Sequence, residues 1–104
     1  MNNSDIKILL VDDEPDILEI VGYNLKNEGY KVYTSTNGIE AVKSAKKIMP
    51  DLILLDIMMP EMDGIEACEK IRTIKNLENT LIAFLTARNE DYSKVAGFDA
   101  GADD

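Results

Sequence analysis

Asp51-Leu52-Ile53-Leu54-Leu55-Asp56-Ile57-Met58-Met59-Pro60-Glu61-Met62-Asp63-Gly64 is the stretch on which the fold turns. Its four consecutive aliphatic residues lie between Pro50-Asp51 on one side and Pro60 and Gly64 on the other, a pattern that predicts a short strand buried on both faces. Strands of that kind belong to parallel sheets covered by helices. Asp56 then stands at the carboxyl end of its strand, where loops and helix N-termini converge and where open α/β sheets bind their ligands. Asp56 is the first candidate reactive group.

A second aliphatic run, Lys7-Ile8-Leu9-Leu10-Val11, also ends in carboxylates, Asp12, Asp13 and Glu14, before Pro15. Asp13 or Glu14 can cap the helix that follows, Pro15 suits its first turn, and Asp16 complements the positive end of the helix dipole. Ile17, Leu18, Val21 and Leu25 give that helix an apolar face, which stops at Glu28-Gly29 with glycine as the C′ residue. Tyr30-Lys31-Val32-Tyr33-Thr34 predicts the next strand. Asn37 caps a second helix with Ile39, Val42, Ala45 and Met49 on its apolar face, and Pro50 ends it. Ile65, Cys68 and Ile71 mark a third helix, Leu81-Ile82-Ala83-Phe84-Leu85 a fourth strand, and residues 89–100 a weakly anchored fourth helix. Alternating strands and helices with short connections predict a three-layer α/β fold, a doubly wound parallel sheet with helices on both faces.

The chain has 104 residues, enough for one core. Its net charge of −9 is the wrong sign for neutralising nucleic-acid phosphates, so direct nucleic-acid contact by this domain is not expected. One cysteine, Cys68, precludes an internal disulfide and falls on an apolar helix stripe. No apolar run reaches the roughly 20 residues that span a bilayer. The amino terminus has no signal-peptide pattern, so the expectation is a cytoplasmic domain without a membrane partner.

Asp12, Asp13 and Asp56 end two strands that a doubly wound order places side by side. Taken singly, the first two read as helix caps and the third as the start of a turn. Together they form the oxygen-rich set that Mg2+ accepts. Thr86 ends the fourth strand and can donate a hydrogen bond to an anionic group carried by Asp56. A carboxylate beside Mg2+ is a possible nucleophile toward phosphorus, with an aspartyl phosphate as product.

Four separated features resemble the receiver domain of bacterial two-component response regulators: Val11-Asp12-Asp13-Glu14 with Pro15; Asp56 after its aliphatic strand; Met59-Pro60-Glu61-Met62-Asp63-Gly64; and Leu85-Thr86-Ala87 followed by Ala100-Gly101-Ala102-Asp103-Asp104. The resemblance runs essentially from end to end. It implies a flavodoxin-like sheet of order 2-1-3-4-5, with Asp56 as the phosphoacceptor of a sensor histidine kinase. It also implies that Asp12, Asp13, Asp56 and the backbone carbonyl of Met58 hold Mg2+, and that Thr86 is the switch hydroxyl. Met58 and Arg88 occupy positions that flank the site in this family and influence phosphoryl hydrolysis. The implied role is a phosphoacceptor switch acting through the fourth-helix surface, not an enzyme, with a C-terminal output domain for transcription regulation in the full-length protein.

Receivers of this kind continue into a fifth strand carrying a lysine and then a fifth helix, whereas this sequence stops at Asp104. The expectation is therefore a C-terminally incomplete receiver over residues 1–104, lacking the last strand and helix. Its fourth strand, apolar on both faces and without Lys or Pro, would lie at an edge and favour self-association through that strand or the last helix. Two rival functions remain open at this level. One is a phosphorylation-independent, receiver-like binding module. The other is a haloacid-dehalogenase-type phosphatase, which needs a second Asp two residues after the nucleophile, where this sequence has Met58.

Overall fold

The computed structural model describes residues 2–85. A short 3-10 turn at Asn3–Asp5 leads into β1 (Lys7–Val11), followed by α1 (Pro15–Asn27), β2 (Lys31–Ser35), α2 (Gly38–Ile48), β3 (Leu52–Leu55), α3 (Gly64–Arg72) and β4 (Leu81–Phe84). The four strands are parallel in the order β2-β1-β3-β4, which is the described part of the expected doubly wound, flavodoxin-like arrangement. Thr86, Arg88 and the helix expected over residues 89–100 lie outside the described residues.

Strand alternation sorts the aliphatic runs into two layers of contacts. Leu9, Val11, Ile53, Leu55 and Ile82 point to the face covered by α2 and α3, where they meet Ala41, Ala45, Ala67, Cys68 and Ile71, all fully buried. Each large aliphatic side chain buried this way contributes about 1.5–3 kcal/mol relative to its exposed state. Leu10 points the other way, toward Gly22 of α1. The expectation that β3 is buried on both faces holds only for its α2–α3 side. Ile53 and Leu55 are buried, while Leu52 and Leu54 are half-buried; among the described residues α1 packs chiefly on β2 and β1.

Local chemistry explains where the helices start and stop. Pro15 opens α1, and Gly29, with φ of 96°, follows its C-cap residue Glu28. The Asn37 side chain accepts a hydrogen bond from Glu40 N–H at 2.8 Å and caps α2; Asp63 does the same for Glu66 N–H at 2.8 Å and caps α3. The apolar face of α2 is the expected one at Val42, Ala45 and Met49, which are buried in the core or packed against it, and departs from expectation at Ile39, whose place is taken by Ala41. Ala41 and Ala45 are fully buried, Val42 and Ile48 are half-buried, and Ile39 is 38% exposed. The close approach of α2 to α3 selects small side chains there.

Candidate functional site

Parallel pairing sets Val11 beside Leu55, so Asp12 and Asp56 leave neighbouring strands at the same level. The hydrogen-bond ladder reaches one residue further on each. Asp56 N–H donates to the Val11 carbonyl at 2.9 Å, and Asp12 N–H donates to the Ser35 carbonyl at 3.2 Å. Both carboxylates therefore issue from backbone held by the sheet. Carboxylate oxygens of Asp12, Asp13 and Asp56 all lie within 4.8 Å of one another. Asp12 is 2% exposed and Asp56 fully buried, whereas Asp13 faces solvent.

The turn into α1 differs from the sequence expectation. Glu14 is the N-cap residue but makes no side-chain capping bond. Asp12 Oδ1 instead accepts a hydrogen bond from Glu14 N–H at 2.9 Å, an aspartate turn that bends the chain from the strand end toward the helix. Asp12 thus serves the turn with one oxygen while its carboxylate borders the cluster. Burial pushes the Asp12 carboxyl above the usual carboxylate range. The Glu14 N–H opposes that shift, and the neighbouring charges of Asp56, Asp13 and Glu14 add to it.

The loop from β3 to α3 is pinned along its length. Ile57 and Met59 are buried, with Met58 between them and 52% exposed. Met62 N–H donates to the Pro60 carbonyl at 2.8 Å, and Glu61 between them adopts a φ of 66°. Gly64 N–H donates to the Ile57 carbonyl at 2.8 Å. A Cβ on Gly64 would overlap the Asp56 carbonyl oxygen and lie 2.9 Å from both Asp56 C and Ile57 Cα. Gly64 brings the first turn of α3 onto the backbone of Asp56 itself. In the sequence Gly64 marks the end of the β3 stretch and Asp63-Gly64 closes a family motif; their capping and close-packing roles, repeated by Asn37-Gly38 at the start of α2, emerge from the structure.

Clustered carboxylate oxygens on rigid strand ends suit a hard divalent cation, which takes oxygen ligands and relieves the mutual repulsion of the acids. The donor set therefore fits the ion expected from the sequence. The family model of the response regulator receiver domain matches residues 8–104. The chain belongs to this family.

This receiver domain is 48% identical over 98 residues to the alkaline phosphatase synthesis transcriptional regulatory protein PhoP of Bacillus subtilis (strain 168), covering 94% of the chain and 40% of that protein. It is 39% identical over 98 residues to the DNA-binding dual master transcriptional regulator RpaA of Synechocystis sp., covering 94% of the chain and 41% of the relative. The chain thus spans about two fifths of each of these regulators. Among solved structures, the receiver domain of a sensor histidine kinase from Pseudomonas aeruginosa PAO1 superposes with a TM-score of 0.88 at 34% identity, covering 95% of this chain and 81% of that one. That structure has a magnesium ion coordinated in its active site cleft. Chemotaxis protein CheY4 of Vibrio cholerae gives a TM-score of 0.88 at 35% identity, with 93% and 81% covered. As a receiver domain the chain is a phosphoacceptor switch rather than an enzyme in the ordinary sense. No helix among the described residues is long and apolar enough to cross a membrane.

Proposed function

We propose that Asp56 is the phosphoacceptor, that a sensor histidine kinase is the donor, and that Mg2+ is held by Asp12, Asp13, Asp56 and the backbone carbonyl of Met58. The observation that carries this reading is the meeting of two buried acids and one exposed acid, oxygens within 4.8 Å, at the carboxyl ends of β1 and β3 in a receiver-family chain.

In the proposed reaction an Asp56 oxygen attacks phosphorus, an O–P bond forms, and the P–N bond of the donor's phosphohistidine breaks with its electron pair returning to the imidazole nitrogen. Bound Mg2+ would neutralise charge on the transferred phosphoryl oxygens. Asp12 and Asp13 place ligand oxygens beside Asp56, and the sheet ladder keeps these positions fixed while the attacking oxygen approaches phosphorus. Thr86 supplies the switch hydroxyl by family resemblance, and the output passes through the surface that follows it. In a full-length regulator of the kind represented by the two curated relatives, that output controls a C-terminal domain acting in transcription.

Incubation with a small phosphodonor and Mg2+, read by intact-mass spectrometry, tests the assignment. One phosphoryl group is expected on the wild-type chain and none on Asp56→Asn. Modification that persists in Asp56→Asn removes Asp56 from the role. The acidic cluster favours this reading over a phosphorylation-independent binding module, because three carboxylates gathered at one point repel one another unless a cation neutralises them.

A further inference from the structure

We propose that Gly38, on α2 and outside the acidic cluster, is a positioning residue for the metal and phosphoryl site, acting through Met62 of the β3–α3 loop. This deepens the assignment of Asp12, Asp13, Asp56 and Met58 above and rests on it. A Cβ on Gly38 would overlap the Met62 carbonyl oxygen and lie 2.9 Å from both Met62 Cβ and Met62 Cγ. Backbone conformation does not explain the glycine, because Gly29 alone among the described glycines has a positive φ. Gly38 is there for room.

The contact bears on the site because neither partner has an easy retreat. α2 is tied down by the Asn37 cap and by Ala41 and Ala45, fully buried in the core that α2 shares with α3. Met62 is tied into the loop through its N–H to the Pro60 carbonyl. Two residues further on, Gly64 donates to the Ile57 carbonyl and packs against the carbonyl of Asp56. A methyl group at position 38 therefore pushes on a loop whose two ends are the backbone of Asp56–Met58 and the start of α3. Ligand sets tolerate displacements of only about 0.5 Å, so a shift there is read as lost metal affinity.

The test is a Mg2+ titration of the 104-residue chain followed by amide chemical shifts, with thermal melting recorded for every variant. Gly38→Ala is expected to raise the Mg2+ dissociation constant about tenfold, as changes behind a metal ligand commonly do. Met62→Gly, which loosens the loop side of the contact without adding bulk, is expected to weaken Mg2+ in the same direction. Ile39→Gly weakens the same turn of α2 at an exposed neighbouring position and is expected to leave the constant unchanged. An unchanged constant in a folded Gly38→Ala overturns the proposal. Should that variant not fold, Met62→Gly decides, and an unchanged constant there overturns it equally. Weakening in Ile39→Gly as large as in Met62→Gly assigns the effect to general loss of stability and overturns the proposal too. A wild-type chain without Mg2+-dependent shifts defeats the metal assignment itself, an outcome distinct from wild-type binding with insensitive variants.

Discussion

Asp12 and Asp13 are neighbours of the same residue type with different physical situations. Asp12 is buried and its carboxyl is held above the usual range, chiefly by burial, while Asp13 faces solvent. Between the ordinary value of 3.8 and the raised folded value, the folded state of the metal-free protein binds more proton than the unfolded chain. Asp12 therefore makes stability fall as pH rises through that window. Metal-free Asp12→Asn is expected to melt a few degrees higher than metal-free wild type at pH 7, since Asn Oδ1 still accepts from Glu14 N–H. A lower melting temperature would show that the turn, not the charge, dominates. Asp13→Asn should change metal-free stability by no more than about 0.5 kcal/mol, the range of ordinary surface substitutions. With Mg2+ at a hundred times its dissociation constant, the wild type should gain about 2.7 kcal/mol in denaturant unfolding. Asp12→Asn should gain far less.

Helices α2 and α3 begin alike, each with an asparagine or aspartate cap followed by a glycine that another segment presses against. The two parts of the motif have separable energies. Asp63→Ala removes a capping acceptor and should cost about 1 kcal/mol in urea unfolding. Gly64→Ala drives a methyl group into the Asp56 carbonyl, a backbone group with no rotamer to escape into, and should cost about 3 kcal/mol. Equal losses in the two variants would mean that the loop gives way more easily than its hydrogen bonds suggest. The apolar face of α2 shows what periodicity misses. Ile39 fits the helical repeat, yet it is exposed and Ala41 joins Ala45 in the buried seam, because the nearness of α3 favours small residues over large ones.

For the molecule as a whole, the sheet of the described residues ends at β4 on one side and β2 on the other. On β4, Ile82 is fully buried while Leu81 is 57% exposed. An apolar outer strand without Lys or Pro is a template for pairing with a second copy. The 104-residue chain is accordingly expected to self-associate at micromolar concentration. The association should strengthen with added salt, because a net charge of −9 per chain opposes it and salt screens that repulsion. Light scattering measures the mass and hydrogen exchange the protection along Leu81–Phe84. A monodisperse monomer with those amides strongly protected contradicts the expectation.

The alternation of strands and helices, the parallel order and the placing of Asp12, Asp13 and Asp56 at strand ends were all legible in the sequence. The alternation, the parallel sheet and the strand-end carboxylates follow from short-range features: four- and five-residue aliphatic runs, helical periodicity, and Asp, Pro and Gly at the boundaries; the order of the strands came with the resemblance to the receiver family. Only the tertiary structure decided that Asp12, and not its neighbour Asp13, is buried beside Asp56. That depends on Asp12 taking the last rung of the ladder to Ser35, a residue from another strand. Tertiary structure alone also showed why residues 38 and 64 are glycines. Met62 and Asp56 reach them from other parts of the chain, and steric exclusion between segments that meet only on folding leaves no local pattern to read.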